Sequence, residues 1–315
     1  MTAFAAETVP LRQADQIKAE MLRTRVSAET VIRRQEALAK KTTLRVGGPA
    51  DIYVEPASSE DLSAILRFCH ELGLPWFVIG RGSNLLVKDA GVRGVVICLA
   101  HAHFSRIDVA GEHLSCGAGA RLKAVANEAR RNSLAGLEFL EGIPGSLGGG
   151  LRMNAGAMGE EIFRVIEAIR LMDSTGRIHE QRPDQLQIQY RSCLTLKTHI
   201  AVGAVLHGKP SPSAAIAERM REFSRKRWSS QPAAPSAGCI FKNPVLIPAG
   251  KLIDELGLKG TRVGGAFVSA EHGNFIVNDG TATARDVLDL IELIRERARA
   301  ERGIEMETEV EILGD

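Results

Sequence analysis

Apolar and polar positions are arranged differently in successive parts of the chain. Residues 1–41 are polar and basic, and their apolar positions fit at most a loose surface helix. We therefore predict an N-terminal extension that is a solvated arm, with a binding tail as the alternative. From residue 42 onward, short apolar runs alternate with amphipathic stretches. They predict strands over 52–54, 76–79, 95–99, 104–109 and 113–117, and helices that begin after Ser58 and near residue 121.

Periodicity is lost between residues 136 and 159, where eight of 24 residues are glycine. Each glycine forfeits conformational entropy in a regular element, so we expect no stable helix or strand here. A flexible linker is the alternative, but Ile143, Pro144 and Leu147 are residues that a Gly/Ser linker would lack. The stretch favours a cradle in which a flat ligand or a phosphate contacts the backbone.

Regular patterns return after residue 160. They predict strands over 164–172, 177–181, 200–207, 262–269 and 274–278, and helices over 213–227, over 249–256 and after Thr283. Near the C-terminus, apolar residues and four glutamates alternate from residue 305 to residue 312, which is typical of a half-exposed strand. The strands form clusters separated by helices without strict βαβ order, so the pattern favours an α+β fold. A length of 315 residues, at roughly 150 per domain, suggests about two domains.

Composition indicates a globular protein. Apolar residues make up 44% of the chain and charged residues 25%, which argues against disordered and fibrous structure. Forty basic against 38 acidic side chains, with 4% aromatic residues, indicate no dedicated nucleic-acid binder. No apolar run approaches membrane-spanning length and the N-terminus lacks a signal segment, so we expect no membrane insertion and a cytoplasmic location.

Cysteine and histidine spacing predicts no bound metal. The five cysteines include no C-x-x-C pair, so they indicate neither a disulfide framework nor a zinc site. The eight histidines include no i, i+4 pair and no H-x-x-E-H motif.

The loop over residues 80–84 follows a predicted strand and contains two glycines. A dinucleotide-binding fingerprint would need G-x-G-x-x-G at the start of a helix, but residues 87–91 indicate a turn. The loop is either an ordinary tight turn or a phosphate-binding loop whose amides approach a pyrophosphate, with Ser83 and Asn84 as further donors. Together with the glycine-rich stretch, it suggests a large cofactor with a diphosphate.

Six motifs follow one another in order along the chain, over residues 42–51, 80–84, 142–156, 190–191, 238–244 and 306–310. Together they resemble the family of UDP-N-acetylenolpyruvoylglucosamine reductases, the MurB family of peptidoglycan synthesis, over about residues 30–314. The resemblance implies an FAD-binding fold of the vanillyl-alcohol-oxidase (PCMH) type over 42–210, in two subdomains of about 42–100 and 101–210. It also implies a C-terminal α+β substrate domain over 211–315. The chain looks like the shorter type, without an extra tyrosine-bearing loop, and we expect a monomer.

The resemblance also implies the cofactors. FAD would be bound non-covalently, since the loop over 80–84 has no histidine, and NADPH would be the hydride donor. The residues expected to hold FAD lie in the two glycine-containing regions. They are Gly80, Arg81, Gly82, Ser83, Asn84, Ile143, Pro144, Gly145, Gly148, Asn154, Ala155 and Gly156.

The family's reaction transfers hydride from reduced FAD to the enolpyruvyl group of UDP-GlcNAc-enolpyruvate and protonates the adjacent carbon, giving UDP-N-acetylmuramate. It needs a cation near the carboxylate and a proton donor. By resemblance, Arg191 would be the cation and Glu309 would lie beside the double bond. Cys239 would donate the proton where the family uses serine, since a thiol with a pKa near 8.5 is mostly protonated at neutral pH.

Each of these roles has a simpler alternative. Arg191 could be a surface residue, Cys239 a small buried residue, and Glu309 one of four glutamates on a solvated strand face. By resemblance, Tyr190 would lie near the sugar, and Arg227 and Asn243 would bind substrate phosphate or nicotinamide nucleotide. For the whole chain, the alternatives are a relative in the same fold that oxidises a sugar or alcohol, and a catalytically silent nucleotide-binding module.

Overall fold

The computed structural model describes residues 11–315 and has mixed α and β structure, which confirms the predicted α+β class. The helices of this part of the chain are α1 Leu11–Arg23, α2 Ser59–Glu71, α3 Leu122–Arg131, α4 Leu147–Arg152, α5 Ser213–Trp228, α6 Ala249–Glu255 and α7 Ala284–Arg302. None of the described helices is both long enough and apolar enough to cross a membrane.

Three sheets of four or five strands organise the described residues. The first has the strand order Val31–Ala37, Pro49–Glu55, Val92–Cys98, Trp76–Ile79 and is parallel except for its first pair. The second is antiparallel, in the order Ile178–Gln181, Ile166–Met172, Ile200–His207, His113–Gly117, Ile107–Ala110. The third is antiparallel, in the order Ser236–Cys239, Phe275–Asn278, Ala266–Val268, Arg262–Val263.

Four short two-stranded pairs complete the strand pairing of the described residues. They are Gly156–Ala157 with Glu160–Glu161, Ile188–Gln189 with Ser192–Cys193, Leu134–Ala135 with Lys209–Pro210, and Leu85–Val87 with Glu311–Leu313. The last pair is parallel and joins the C-terminal end of the chain to the segment after the loop over 80–84.

The hydrophobic core is divided in the same way. One cluster packs α2 and α3 against the first and second sheets. Another surrounds α6 and α7 and includes Leu44, Val46 and Leu86 from the first part of the chain. The C-terminal core therefore includes residues from both parts of the chain, and a third, smaller cluster lies along the first sheet.

Local signals located several helix ends correctly. Ser58 accepts a hydrogen bond from the Asp61 amide (3.1 Å) and caps α2. Thr283 and Asp286 cap α7 reciprocally, and Gly303 ends it with φ +64°.

The prediction of a solvated arm over 1–41 is wrong for the residues that the structure describes; residues 1–10 lie outside them. Val31–Ala37 is an edge strand that pairs with Pro49–Glu55, and α1 buries Leu22 completely. The strand's central residues are exposed, so it shows little apolar alternation; backbone pairing holds it in place.

The expectation of no helix in the glycine-rich stretch is also wrong. Helix α4 passes through three glycines, with Ser146 as its N-cap and Leu147 and Leu151 fully buried. A Cβ at Gly148 would lie 3.1 Å from the Ala118 Cβ, so glycine at this position lets the helix pack closely against the end of a strand of the second sheet. Tertiary packing therefore outweighs the low helix propensity.

Two predicted strands are shorter than expected. The stretch over 262–269 is a hairpin of two short strands, Arg262–Val263 and Ala266–Val268. Of the alternating residues near the C-terminus, only Glu311–Leu313 forms a strand, and Thr308 makes a single bridge to Phe241.

Candidate active site

Two adjoining cavities lie between the two cores. The large cavity has a volume of about 1140 Å³ and the small cavity about 390 Å³. They share residues of the loop over 80–84 and of the glycine-rich stretch, together with Arg152 and Arg227. The predicted cofactor loops and the predicted catalytic residues are therefore neighbours.

The loop over 80–84 has a backbone conformation that requires glycine. Gly82 has φ +63°, and a Cβ there would lie 2.3 Å from the Lys41 carbonyl oxygen. The Ser83 hydroxyl donates to the Pro144 carbonyl (2.8 Å), and the Asn84 amide donates to the Glu309 carbonyl (3.0 Å). These hydrogen bonds tie three segments of the site together. The backbone amides remain as donors for a phosphate.

The large cavity fits FAD in size and charge. Its volume lies above the range of about 300–1,000 Å³ that is usual for small-molecule pockets. Eight cationic side chains line it, against the carboxylates of Glu55 and Glu311, which suits a diphosphate. The cations are Lys40, Lys41, Arg45, Arg81, Arg121, Arg152, Lys197 and Arg227.

Most of the predicted FAD residues line one or both cavities. Gly80, Arg81, Ser83 and Pro144 line both. Gly148 lines the large cavity. The residues that line the small cavity alone are Gly82, Asn84, Ile143, Gly145, Ala155 and Gly156.

Asn154 lines neither cavity, and its prediction as a cofactor ligand is corrected. It is 2% exposed, and its amide nitrogen donates to Glu161 Oε2 (3.1 Å) and to the Gln189 carbonyl (3.2 Å). Its backbone has φ +39°, in the left-handed region. Asn154 therefore braces the hairpin that carries Arg191.

The small cavity brings together all six residues predicted for catalysis and substrate binding. They come from separate segments of the chain: Tyr190, Arg191, Arg227, Cys239, Asn243 and Glu309. This convergence depends on the two cores being held together, since the residues span more than a third of the sequence.

Arg191 occupies the tip of a two-residue turn between Ile188–Gln189 and Ser192–Cys193. Its φ of +55° is unfavourable for a residue with a side chain, and such strain is found preferentially at functional sites. Its Nε lies 3.5 Å from Glu309 Oε1, and its Nη1 lies 4.0 Å from Glu161 Oε1. The half-buried guanidinium is thus held between two carboxylates at the cavity wall.

The structure distinguishes Glu309 from the three neighbouring glutamates. The side chain of Glu309 is 19% exposed, against 72% for Glu305 and 73% for Glu307. Glu311 lines the cavity but forms an ion pair with Arg152 at 3.0 Å. Burial raises the pKa of the Glu309 carboxyl above its ordinary value of 4.5, although the Arg191 and Lys242 cations oppose this shift.

Cys239 ends the strand Ser236–Cys239 and lines the small cavity. Burial, followed by the charge of Glu309, raises the pKa of its thiol to about 12. The thiol is therefore protonated over the whole physiological range.

Sequence reasoning missed Asn274, a buried residue that lines the same cavity. Its amide accepts from the Phe241 nitrogen (2.9 Å) and donates to the Phe241 oxygen (2.8 Å), which fixes the segment that follows Cys239. It also missed the bond between Arg152 and Glu311. No local pattern marks these residues, because their partners are far away in the sequence.

Comparisons with known proteins agree with this geometry. Residues 231–313 match the family model described as UDP-N-acetylenolpyruvoylglucosamine reductase, C-terminal domain, and residues 50–182 match the model described as FAD binding domain. The UDP-N-acetylenolpyruvoylglucosamine reductase of Clostridium novyi (strain NT) is 41% identical over 87% of this chain and 89% of its own length. That of Heliobacterium modesticaldum is 44% identical over 90% of both chains. The crystal structure of UDP-N-acetylenolpyruvylglucosamine reductase (MurB) from Thermus caldophilus is similar with a TM-score of 0.79 and 40% identity, covering 91% of this chain and 99% of that one.

Proposed function

The chain belongs to the UDP-N-acetylenolpyruvoylglucosamine reductase (MurB) family of FAD-dependent oxidoreductases in peptidoglycan synthesis, and we propose that NADPH is its hydride donor. The reaction converts UDP-N-acetylenolpyruvoylglucosamine to UDP-N-acetylmuramate. When bound, FAD supplies the capacity to accept hydride from NADPH and pass it to the enolpyruvyl group. The observation that supports this proposal is the convergence of Arg191, Cys239 and Glu309 on the small cavity, beside a large cavity that suits FAD.

Arg191 binds the substrate carboxylate in this proposal. As hydride arrives at the terminal carbon, negative charge grows on the adjacent carbon and its carboxylate. A guanidinium can pair with both carboxylate oxygens, and it strengthens this pairing as the charge grows. The carboxylates of Glu161 and Glu309 hold the guanidinium in place before the substrate binds.

Cys239 donates the proton to the carbon adjacent to the one that receives hydride. The raised pKa of the thiol keeps the proton on sulfur until carbanion character develops on that carbon. The carbon is then a much stronger base than water and accepts the proton. After donation the thiolate lies near the Glu309 carboxylate, which disfavours the charged form and promotes its rapid reprotonation from solvent. Glu309 thus orients Arg191 and keeps Cys239 protonated.

Three further residues would bind the rest of the substrate. The side-chain oxygen of Asn243 accepts from the Ala249 amide (3.0 Å), which leaves its NH₂ group to donate to a phosphate. The Arg227 guanidinium donates to the Gly142 carbonyl and lines both cavities, so it can bind a phosphate between them. Tyr190 lies under the Arg191 guanidinium and would contact the sugar.

The glycine-containing loops would hold the FAD diphosphate. Backbone amides of residues 80–84, together with those of Gly145 and Ser146, are the proposed donors, because the other amides over 143–149 are bonded within the protein or, at Pro144, lack a hydrogen. The cationic lining of the large cavity would balance the charge. We assign the FAD-binding domain to residues 42–210, in subdomains of about 42–100 and 101–210, and the substrate domain to 211–315. The edge strand Val31–Ala37, which pairs with Pro49–Glu55, extends the first subdomain toward the N-terminus. The family matches over 50–182 and 231–313 support this division.

We also propose that the enzyme acts as a monomer in the cytoplasm and contributes to cell shape and division through peptidoglycan supply. NADPH and UDP-sugars are carriers of intracellular metabolism, which supports the location.

The test uses the purified full-length chain reconstituted with FAD. We expect a flavin absorbance band that NADPH bleaches, and NADPH consumption that requires the enolpyruvyl substrate. A protein that binds no flavin would overturn the proposal in favour of a silent nucleotide-binding module. Oxidation of a sugar or alcohol without any NADPH-linked reduction would favour an oxidase instead.

A further inference from the structure

Two histidines and two glutamates meet on the five-stranded sheet, outside both cavities. His113 and His207 are directly opposite each other on neighbouring antiparallel strands, so their side chains lie on the same face of the sheet. Glu167 lies on strand Ile166–Met172, which pairs with the strand that carries His207, at a bulge between Ile166 and Ala168. A bulge redirects a side chain relative to regular pleating, and here the Glu167 carboxylate reaches His113.

The polar atoms of this group are close enough to share one ion. Glu167 Oε2 lies 3.0 Å from His113 Nε2, and Glu112 Oε2 lies 3.1 Å from His207 Nε2. One ligand atom from each of His113, Glu167 and His207 lies within 4.8 Å of the others. Tetrahedral metal–nitrogen bonds of about 2.0–2.1 Å bring ligand atoms to roughly 3.3 Å from each other. The remaining movement is small for side chains that are each at least one-third exposed.

We propose that His113, His207 and Glu167, with Glu112 as a fourth or outer ligand, form a surface site for a first-row transition metal ion such as Zn²⁺. Two imidazoles with carboxylates suit Zn²⁺, Ni²⁺ or Cu²⁺ better than Mg²⁺ or Ca²⁺, which prefer oxygen ligands alone. The two carboxylates balance the charge of the ion. This differs from the sequence prediction of no metal, which rested on local spacing; His113 and His207 are brought together only by strand pairing.

The ion would link three neighbouring strands near the point where the chain leaves the second sheet. Strand Ile200–His207 ends in His207. The chain then passes through Lys209–Pro210 into α5, whose last turn carries Arg227. A ligand that binds the folded state alone raises its stability by mass action, so metal at 100 times its Kd would raise the folded-to-unfolded ratio about 100-fold. The site thus has a stabilising role, separate from catalysis.

The chain contains a matched control. The rings of His179 and His199 are also 5.4 Å apart, as are those of His113 and His207. Among residues 11–315, however, no carboxylate completes a three-residue metal-binding group with His179 and His199. Replacing His179 therefore removes a half-buried histidine of a similar ring pair without touching the proposed ligands.

The experiment uses the untagged, FAD-loaded protein after removal of metals with a chelator. We expect calorimetric titration with Zn²⁺ to give one site per chain and a melting temperature that rises by several degrees. The double variant His113→Ala/His207→Ala should weaken Zn²⁺ affinity at least tenfold and abolish the thermal shift, and Glu167→Gln should weaken it less. His179→Ala should bind like the parent protein.

Three results would overturn the proposal: no binding in the parent protein, unchanged binding in the double variant, or an equal loss in His179→Ala. Flavin absorbance and unfolding profiles without metal show whether each variant is folded. If Co²⁺ replaces Zn²⁺, its visible spectrum reports histidine ligation directly, and a spectrum of the hydrated ion alone would likewise contradict the site.

Discussion

The reactivity of Cys239 toward alkylation tests the proposed proton donor directly. Burial and the Glu309 charge raise the pKa of this thiol from an ordinary value of 9.0 to about 12. At pH 8 a thiol with a pKa of 9 is about one-tenth ionised, whereas one with a pKa of about 12 is ionised to about one part in 10⁴. Because the thiolate is the reactive form, we expect iodoacetamide to modify Cys239 about a thousand times more slowly than an exposed cysteine.

The assay follows alkylation at pH 8 by mass spectrometry of the peptide that contains Cys239, with activity measured in parallel. Modification should be slow, should inactivate the enzyme, and should be slowed further by bound substrate. Glu309→Gln removes one cause of the raised pKa, so it should speed modification. An unperturbed thiol would lose its proton as the pH rises through about 8.5. Because the pKa of the Cys239 thiol is raised to about 12, its ionisation should leave substrate reduction unaffected up to about pH 10.

Substitutions provide the second half of this test. Cys239→Ala should leave flavin reduction by NADPH intact and lower substrate reduction by about 10²–10⁴-fold, the usual contribution of a general acid. Cys239→Ser should retain measurable activity because a hydroxyl can also donate. Rapid alkylation at the rate of a peptide cysteine would refute the buried, protonated thiol. Complete alkylation of Cys239 with unchanged activity would refute the donor role.

Three further substitutions test the residues around this thiol. Arg191→Lys should slow reoxidation of the flavin by substrate, because a lysine ammonium cannot pair with both carboxylate oxygens, while NADPH still reduces the flavin. Equal loss in the two half-reactions would indicate a structural role. Glu309→Gln should suppress substrate reduction strongly, and the exposed Glu307→Gln is its matched control; similar effects at both positions would contradict the assignment of Glu309. Asn154→Asp removes the side-chain donor to Glu161 and to the hairpin that carries Arg191. Kinetic measurements should then show kcat falling about tenfold or more, with flavin binding unchanged. Loss of FAD affinity would instead support Asn154 as a cofactor ligand.

Local sequence patterns were sufficient for elements whose signals lie within a few residues. The caps at Ser58 and Thr283 were identified because each side chain bonds to an amide three residues away. The motif resemblance likewise pointed to six residues that the structure brings to the small cavity, although it missed Asn274. The six are Tyr190, Arg191, Arg227, Cys239, Asn243 and Glu309. The α+β class and the family were thus accessible from the sequence alone.

Tertiary structure decided whatever depends on a distant partner. Val31–Ala37 is a strand because Pro49–Glu55 supplies its hydrogen bonds. Helix α4 forms despite its three glycines because Ser146 caps it and it buries Leu147 and Leu151 completely. The alternating pattern did not show which of the four C-terminal glutamates is buried. Only the folded structure places Glu309 against Arg191. Strand pairing likewise brings together His113 and His207, which are far apart in the sequence. The physical reason is that side-chain patterns report which face of an element is buried, whereas contacts between elements depend on backbone pairing and packing that neighbouring residues do not encode.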